Sequence, residues 1–196
     1  MARRRQEPDE QTYEMVISGI HRQDREDAYI PITLETTRGD VETRLYEAPG
    51  ASRGVIFVGG AGGGWDTPMK GVLYPQLCER LSGERIAALR VRYRDAGSLE
   101  ECTLDVLAGL ALLRDESVEA AALVGHSFGG AVVIQAAAQS DMVRICLPLS
   151  TQSYGAAPAA VLGPRCSIFL FHGTDDEVLP PSCSEYVYDH SCPRQS

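Results

Sequence analysis

The residues with the clearest chemical potential are Gly125-His126-Ser127-Phe128-Gly129-Gly130. A serine hydroxyl is a weak nucleophile until its surroundings activate it. Glycines two before and two after Ser127 suit a very tight turn from strand into helix, where larger side chains would collide. Such a turn strains the backbone and exposes Oγ. The helix that follows offers free N–H groups and a positive dipole end to a developing oxyanion. A glycine-rich helix start with a serine cap is the plainer alternative. The apolar strand pattern before the motif and the helical pattern after it favour the strained turn.

Two further segments carry chemistry. His172-Gly173-Thr174-Asp175-Asp176-Glu177-Val178-Leu179-Pro180 sets three adjacent carboxylates after a strand. Gly59-Gly60-Ala61-Gly62-Gly63-Gly64 follows another strand and bares its backbone N–H groups. No G-x-G-x-x-G register fits that glycine run, and no Gly-Lys-Ser/Thr follows it, so dinucleotide and P-loop readings fail. Trp65 and Asp66 either border a substrate pocket or, the expected reading, pack and cap the next helix. His126 is expected to point away from Oγ, His172 to serve as a structural hydrogen-bonder, and His21 to lie in a loose region.

The elements that must hold these residues follow from patterning. Ile30–Thr36 and Val41–Tyr46 alternate apolar with polar residues around Arg38-Gly39-Asp40, as an antiparallel hairpin does. Residues 55–58, 86–91, 121–124 and Val143–Leu149 are apolar nearly throughout, the signature of strands buried on both faces of a parallel sheet. Residues 167–171 make a fifth such run. Helices are expected over 71–81, after a Ser98/Glu101 capping box, over 128–138, and from near Cys183 after a Ser182/Glu185 capping box. Residues 1–28 are polar and irregular and are expected to be loosely ordered. The fold class is therefore α/β: a doubly wound, mostly parallel sheet with an N-terminal antiparallel hairpin, in one domain over 29–196.

Composition narrows the function classes. A formal net charge of −9 argues against non-specific nucleic-acid binding, which needs clustered cations. Arg3 to Arg5 are neutralised at once by Glu7, Asp9 and Glu10. No apolar signal region follows them and no run approaches a membrane span. The six cysteines, at 78, 102, 146, 166, 183 and 192, show no C-x-x-C spacing. Their scatter points to reduced thiols in a cytoplasmic protein with no metal site.

With these motifs in place, the chain resembles the α/β-hydrolase family, particularly its small dienelactone-hydrolase or compact-esterase members. The resemblance runs over 41–181 and is most specific at 125–130 and 172–180. It implies Ser127 as nucleophile and Asp176 as the acid of a Ser-acid-His triad, with Asp175 and Glu177 as the neighbours to be distinguished from it. It also implies an oxyanion hole made by the Ala61 and Phe128 N–H groups. The expected activity is hydrolysis of an ester, thioester or similar acyl bond in a small-molecule substrate. No cofactor is implied. The short 151–165 stretch, where larger relatives insert a lid, suggests an open site.

The triad order Ser, acid, His leaves His190 as the last histidine. A helix from Cys183 would carry it about 10 Å down from the site. A further helix of about 11 residues and strand of about 5 would put the family's histidine loop beyond residue 196. A truncated chain, an altered 3′ reading and a natural non-catalytic member are the three explanations, and a C-terminally shortened chain is the expectation. The expected hydrolase is then weakly active or inactive for want of the triad histidine, whose loss costs several orders of magnitude. The alternative function is a non-catalytic binding or interaction protein on the same fold.

Overall fold

A computed structural model describes residues 14–191. One eight-stranded sheet organises the molecule, in the order β1-β2-β3-β5-β4-β6-β7-β8. Strands β1 (Ile17–Arg22), β2 (Ile30–Thr36) and β3 (Val41–Tyr46) form an antiparallel edge, and β3 joins β5 (Ala87–Val91) antiparallel. From β5 onward, β4 (Arg53–Val58), β6 (Ala120–His126), β7 (Val143–Leu149) and β8 (Ser167–Ile168) run parallel. The expected fold class is the observed one.

Helix α1 (Leu73–Gly83) covers one face with a small cluster of Tyr46, Phe57, Tyr74, Cys78, Ala88 and Val124. Helices α2 (Leu99–Asp115), α3 (Phe128–Gln139) and α5 (Ser182–Ser191) pack on the other, larger core. Between β7 and β8 lies the short helix α4 (Ala159–Leu162), followed by one turn of 3-10 helix. Ser98 caps α2 by accepting from Glu101 N–H at 3.4 Å. The Glu101 carboxylate pairs with Arg38 and Arg94, while Ser98 N–H donates to Asp95 O. Only half of the expected capping box therefore forms.

Three sequence expectations need correction. The stretch expected to be loose contains β1, whose bulge between Ile17 and Gly19 breaks the period-two pattern that would have revealed it. Residues 1–13 of that stretch lie outside the described residues. Helix α1 starts at Leu73 rather than 71, and Asp66 does not cap it. Thr67 Oγ1 accepts from Tyr74 N–H at 2.9 Å instead. The strand expected over 167–171 is regular only at Ser167–Ile168, because Pro148 on the facing strand has no N–H to give. Pairing persists as Phe169 N–H to Cys146 O and Phe171 N–H to Pro148 O.

This topology dictates where a site can form. Strand β4 is flanked by β5 on one side and β6 on the other, so the chain reverses its direction of winding at β4. Ligands in such sheets bind at the carboxyl ends of the strands beside that reversal. Here Val58 pairs with Gly125, which sets the glycine loop after β4 next to the turn after β6.

Candidate active site

Ser127 sits between β6 and α3 with φ 57° and ψ −120°, a backbone conformation that costs a non-glycine residue about 1–3 kcal/mol. Its surroundings hold it there. Ser127 N–H donates to Leu149 O at 2.9 Å, and Ser127 O accepts from Gly130 N–H at 3.0 Å. The neighbouring glycines are required by contact. A Cβ at Gly125 would collide with the Gly129 carbonyl, one at Gly129 with the Gly59 carbonyl, and one at Gly130 with Thr151 Oγ1. Helix α3 thus enters directly against the start of the 59–64 loop.

That approach brings two N–H groups to the same edge of the sheet. The first N–H groups of a helix have no intrahelical acceptor. Among the described residues neither Phe128 N–H nor Ala61 N–H donates to a backbone carbonyl. The loop is tied on several sides. Tyr93 Oη donates to Gly59 O at 3.3 Å, and the Tyr93 ring meets Phe128 edge-on at 6.1 Å. Asp66 accepts from Gly60 N–H at 3.3 Å through Oδ2 and from Thr67 N–H at 2.9 Å through Oδ1. Arg90, from the middle of β5, donates to Trp65 O at 2.5 Å.

Asp176 occupies the next position along this edge. Its Oδ1 accepts from Val178 and Leu179 N–H, both at 3.0 Å. Those N–H groups, Leu179 first, hold its carboxyl below the usual range, with a smaller contribution from the Ser150 hydroxyl. Ser150 N–H bonds Phe171 O at 2.7 Å, and Leu149 bonds Ser127. The end of β7 therefore separates Ser127 from Asp176. Two strand spacings, about 10 Å, are enough for an imidazole between a hydroxyl and a carboxylate. Neither Asp175 nor Glu177 has a hydrogen bond among the side-chain contacts of the described residues, which distinguishes Asp176 from both.

All four histidines fall among the described residues, and none hydrogen-bonds Ser127 Oγ. His172, with its side chain 7% exposed, has both ring nitrogens occupied. Nε2–H donates to Leu179 O at 2.8 Å and the Ser184 hydroxyl meets Nδ1 at 2.7 Å, which folds the 172–184 segment around Asp176. His190 lies on α5, its Nδ1 2.7 Å from Tyr186 O and its ring stacked on Tyr186. His21 lies on β1 beside Glu35. His126 packs under the glycine loop, with Nδ1 buried, without a hydrogen bond and 3.8 Å from Asp66 Oδ2.

Ser150 and Arg90 are site neighbours that the sequence reading did not find, and Asp66 is one that it read chiefly as a helix cap. Ser150 carries no sequence signal. Arg90 does, since a charge inside the otherwise apolar run 86–91 needs an internal partner. The 151–165 stretch packs inward through Ala156, Ala159 and Leu162, all buried, and begins against the Ser127 turn, where Gln152 N–H donates to Ser127 O at 3.4 Å. No described helix is long and apolar enough to cross a membrane.

Comparison with known proteins places this arrangement. Among curated proteins none matches the sequence significantly. Solved structures do match in fold. The chain is similar to an esterase from Pyrococcus furiosus (16% identity, TM-score 0.64, 83% of this chain and 77% of that one). It is similar to an acetyl xylan esterase from Paenibacillus sp. R4 (14%, 0.66, 89% and 79%). A cold-adapted esterase from an Arctic intertidal metagenomic library gives 18%, 0.65, 85% and 82%. Residues 55–189, from within β4 to within α5, match the sequence pattern of the alpha/beta hydrolase family. The chain belongs to the alpha/beta hydrolase family.

Proposed function

We propose that the protein is a serine hydrolase of small-molecule esters, thioesters or similar acyl compounds. The observation that carries this reading is the strained Ser127 at the β6–α3 junction, locked by glycine contacts beside two uncommitted N–H groups. In the proposed reaction Ser127 Oγ attacks the acyl carbon, and the Ala61 and Phe128 N–H groups receive the oxyanion. The Ser127 proton passes to water, the leaving group departs with a proton from water as the tetrahedral intermediate collapses, and a second water then releases the acyl group. Asp176, its carboxyl held below the usual range by two backbone donors, is the carboxylate of the triad's acid position, while none of the four histidines hydrogen-bonds Ser127 Oγ. Fold neighbours that are esterases support this substrate class.

A second reading, a binding protein on the same fold, is favoured by one observation: the four histidines are engaged or placed away from Ser127 Oγ. A fluorophosphonate probe separates the two. Labelling of the unaltered chain at an esterase-like rate, absent in Ser127→Ala, supports the hydrolase. No labelling above the Ser127→Ala background refutes it and leaves the binding reading.

A further inference from the structure

We infer that Arg90 and Asp66 are positioning residues that fix the 59–66 loop so that Ala61 N–H stays aimed beside Ser127, an inference that rests on the hydrolase reading above. A run of five glycines in six residues has few side chains with which to hold a shape, and glycine loses more freedom on ordering than any other residue. Gly62 and Gly64 have nothing near the position a Cβ would take. The loop therefore needs external restraint if Ala61 N–H is to stay aimed.

Arg90 supplies restraint at one end. The residue is 3% exposed, and burial lowers the pKa of its guanidinium. Among the described residues it pairs with no carboxylate; its hydrogen bonds go to Trp65 O and Tyr46. A buried cation without a counter-ion is expensive, so its service to a carbonyl in this loop explains why a sheet strand carries it. The Trp65 ring is held as well, with Arg44 4.1 Å and Arg90 5.5 Å from its centroid. Asp66 supplies the other end, bridging the N–H groups of Gly60 and Thr67. Ala61 lies between these two anchors. Preorganised donors stabilise a transition state because they need no reorganisation when charge develops.

The protein has a single tryptophan, Trp65, so its fluorescence reports this loop alone. The experiment measures acrylamide quenching and Ser127-dependent p-nitrophenyl acetate kinetics in Arg90→Met, Arg90→Lys and Asp66→Ala. The expected result is a quenching constant raised about twofold or more in Arg90→Met and Asp66→Ala, kcat lowered about tenfold and KM little changed, less than loss of a whole oxyanion donor costs. Arg90→Lys should recover part of both. Unchanged quenching in folded variants overturns the inference, as does a loosened Trp65 with unaltered kcat. If Arg90→Met fails to fold, Asp66→Ala decides, since that side chain is 42% exposed. Absence of Ser127-dependent turnover in the unaltered chain overturns the catalytic role and the hydrolase reading, while quenching still decides whether the two residues hold the loop.

Discussion

Replacing Gly129 by alanine tests the central contact of the site. The added Cβ would lie well inside 3.0 Å of the Gly59 carbonyl oxygen, 3.2 Å from the Gly59 carbonyl carbon and 3.1 Å from Tyr93 Oη. The obstacle is backbone on β4's end, not the tip of a flexible side chain, so either α3 or the 59–66 loop must move. Overpacking of this kind costs about 3 kcal/mol. For a chain of this size each kcal/mol lowers Tm by about 2–4 °C, so a fall of roughly 6–12 °C is expected. The displacement also separates Ala61 N–H from Phe128 N–H, and a shift approaching 1 Å costs about a hundredfold in rate. Urea unfolding gives the first number and p-nitrophenyl acetate hydrolysis the second. Gly62→Ala is the control: nothing lies within 4 Å of its Cβ position, and a change within about 0.5 kcal/mol is expected. A Gly129→Ala protein within 1 kcal/mol of the unaltered one would refute the claim that α3 is seated against the loop.

Ser127→Gly should remove probe labelling yet raise stability by about 1 kcal/mol, because glycine accepts φ 57° without strain; a less stable variant in urea would count against stored strain. Asp105, fully buried, accepts from Arg94 N–H at 2.9 Å and pairs with the Arg94 guanidinium, so Asp105→Ala should cost about 3 kcal/mol by urea unfolding. A loss under 1 kcal/mol would show that Glu101 and the Arg38 carbonyl satisfy Arg94 unaided. The Asp176 carboxyl is held below its ordinary value, so its contribution to stability is present above about pH 3.9 and lost as pH falls through the folded-state value. A carboxyl NMR titration with its midpoint at or above 4 would contradict the Val178 and Leu179 hydrogen bonds.

The sheet was legible in the sequence because its interior strands are apolar at nearly every position, and few other elements read that way. The Ser127 turn was legible because steric demand restricts residue type: only glycine fits at 125, 129 and 130. Strand β1 was not legible, since it is an exposed edge whose bulge hides its alternation. The tie between Asp66 and the glycine loop was hidden for another reason. An Asp just before Thr67 and a helix reads as a cap, and only the three-dimensional return of the loop shows Gly60 N–H within reach. Ser150 bridges Ser127 and Asp176 through strand neighbours about 25 residues away in either direction, a relation that no local pattern encodes.

The hydrogen bonds and contacts around Ser127 also bear on how the chain acquires this strained serine. Holding φ 57° needs Gly59 from β4's end, Leu149 from β7's end and Thr151 beyond it, segments up to about 90 residues apart. Contacts of such long sequence separation close late, since loop closure must come first. A nascent or partly collapsed chain therefore carries an ordinary serine at this position. The hydroxyl gains its half-buried, strained setting only when the three strands are in register, so probe labelling of Ser127, where the proposed hydrolase reading holds, doubles as a report on whether the centre of the sheet has been assembled.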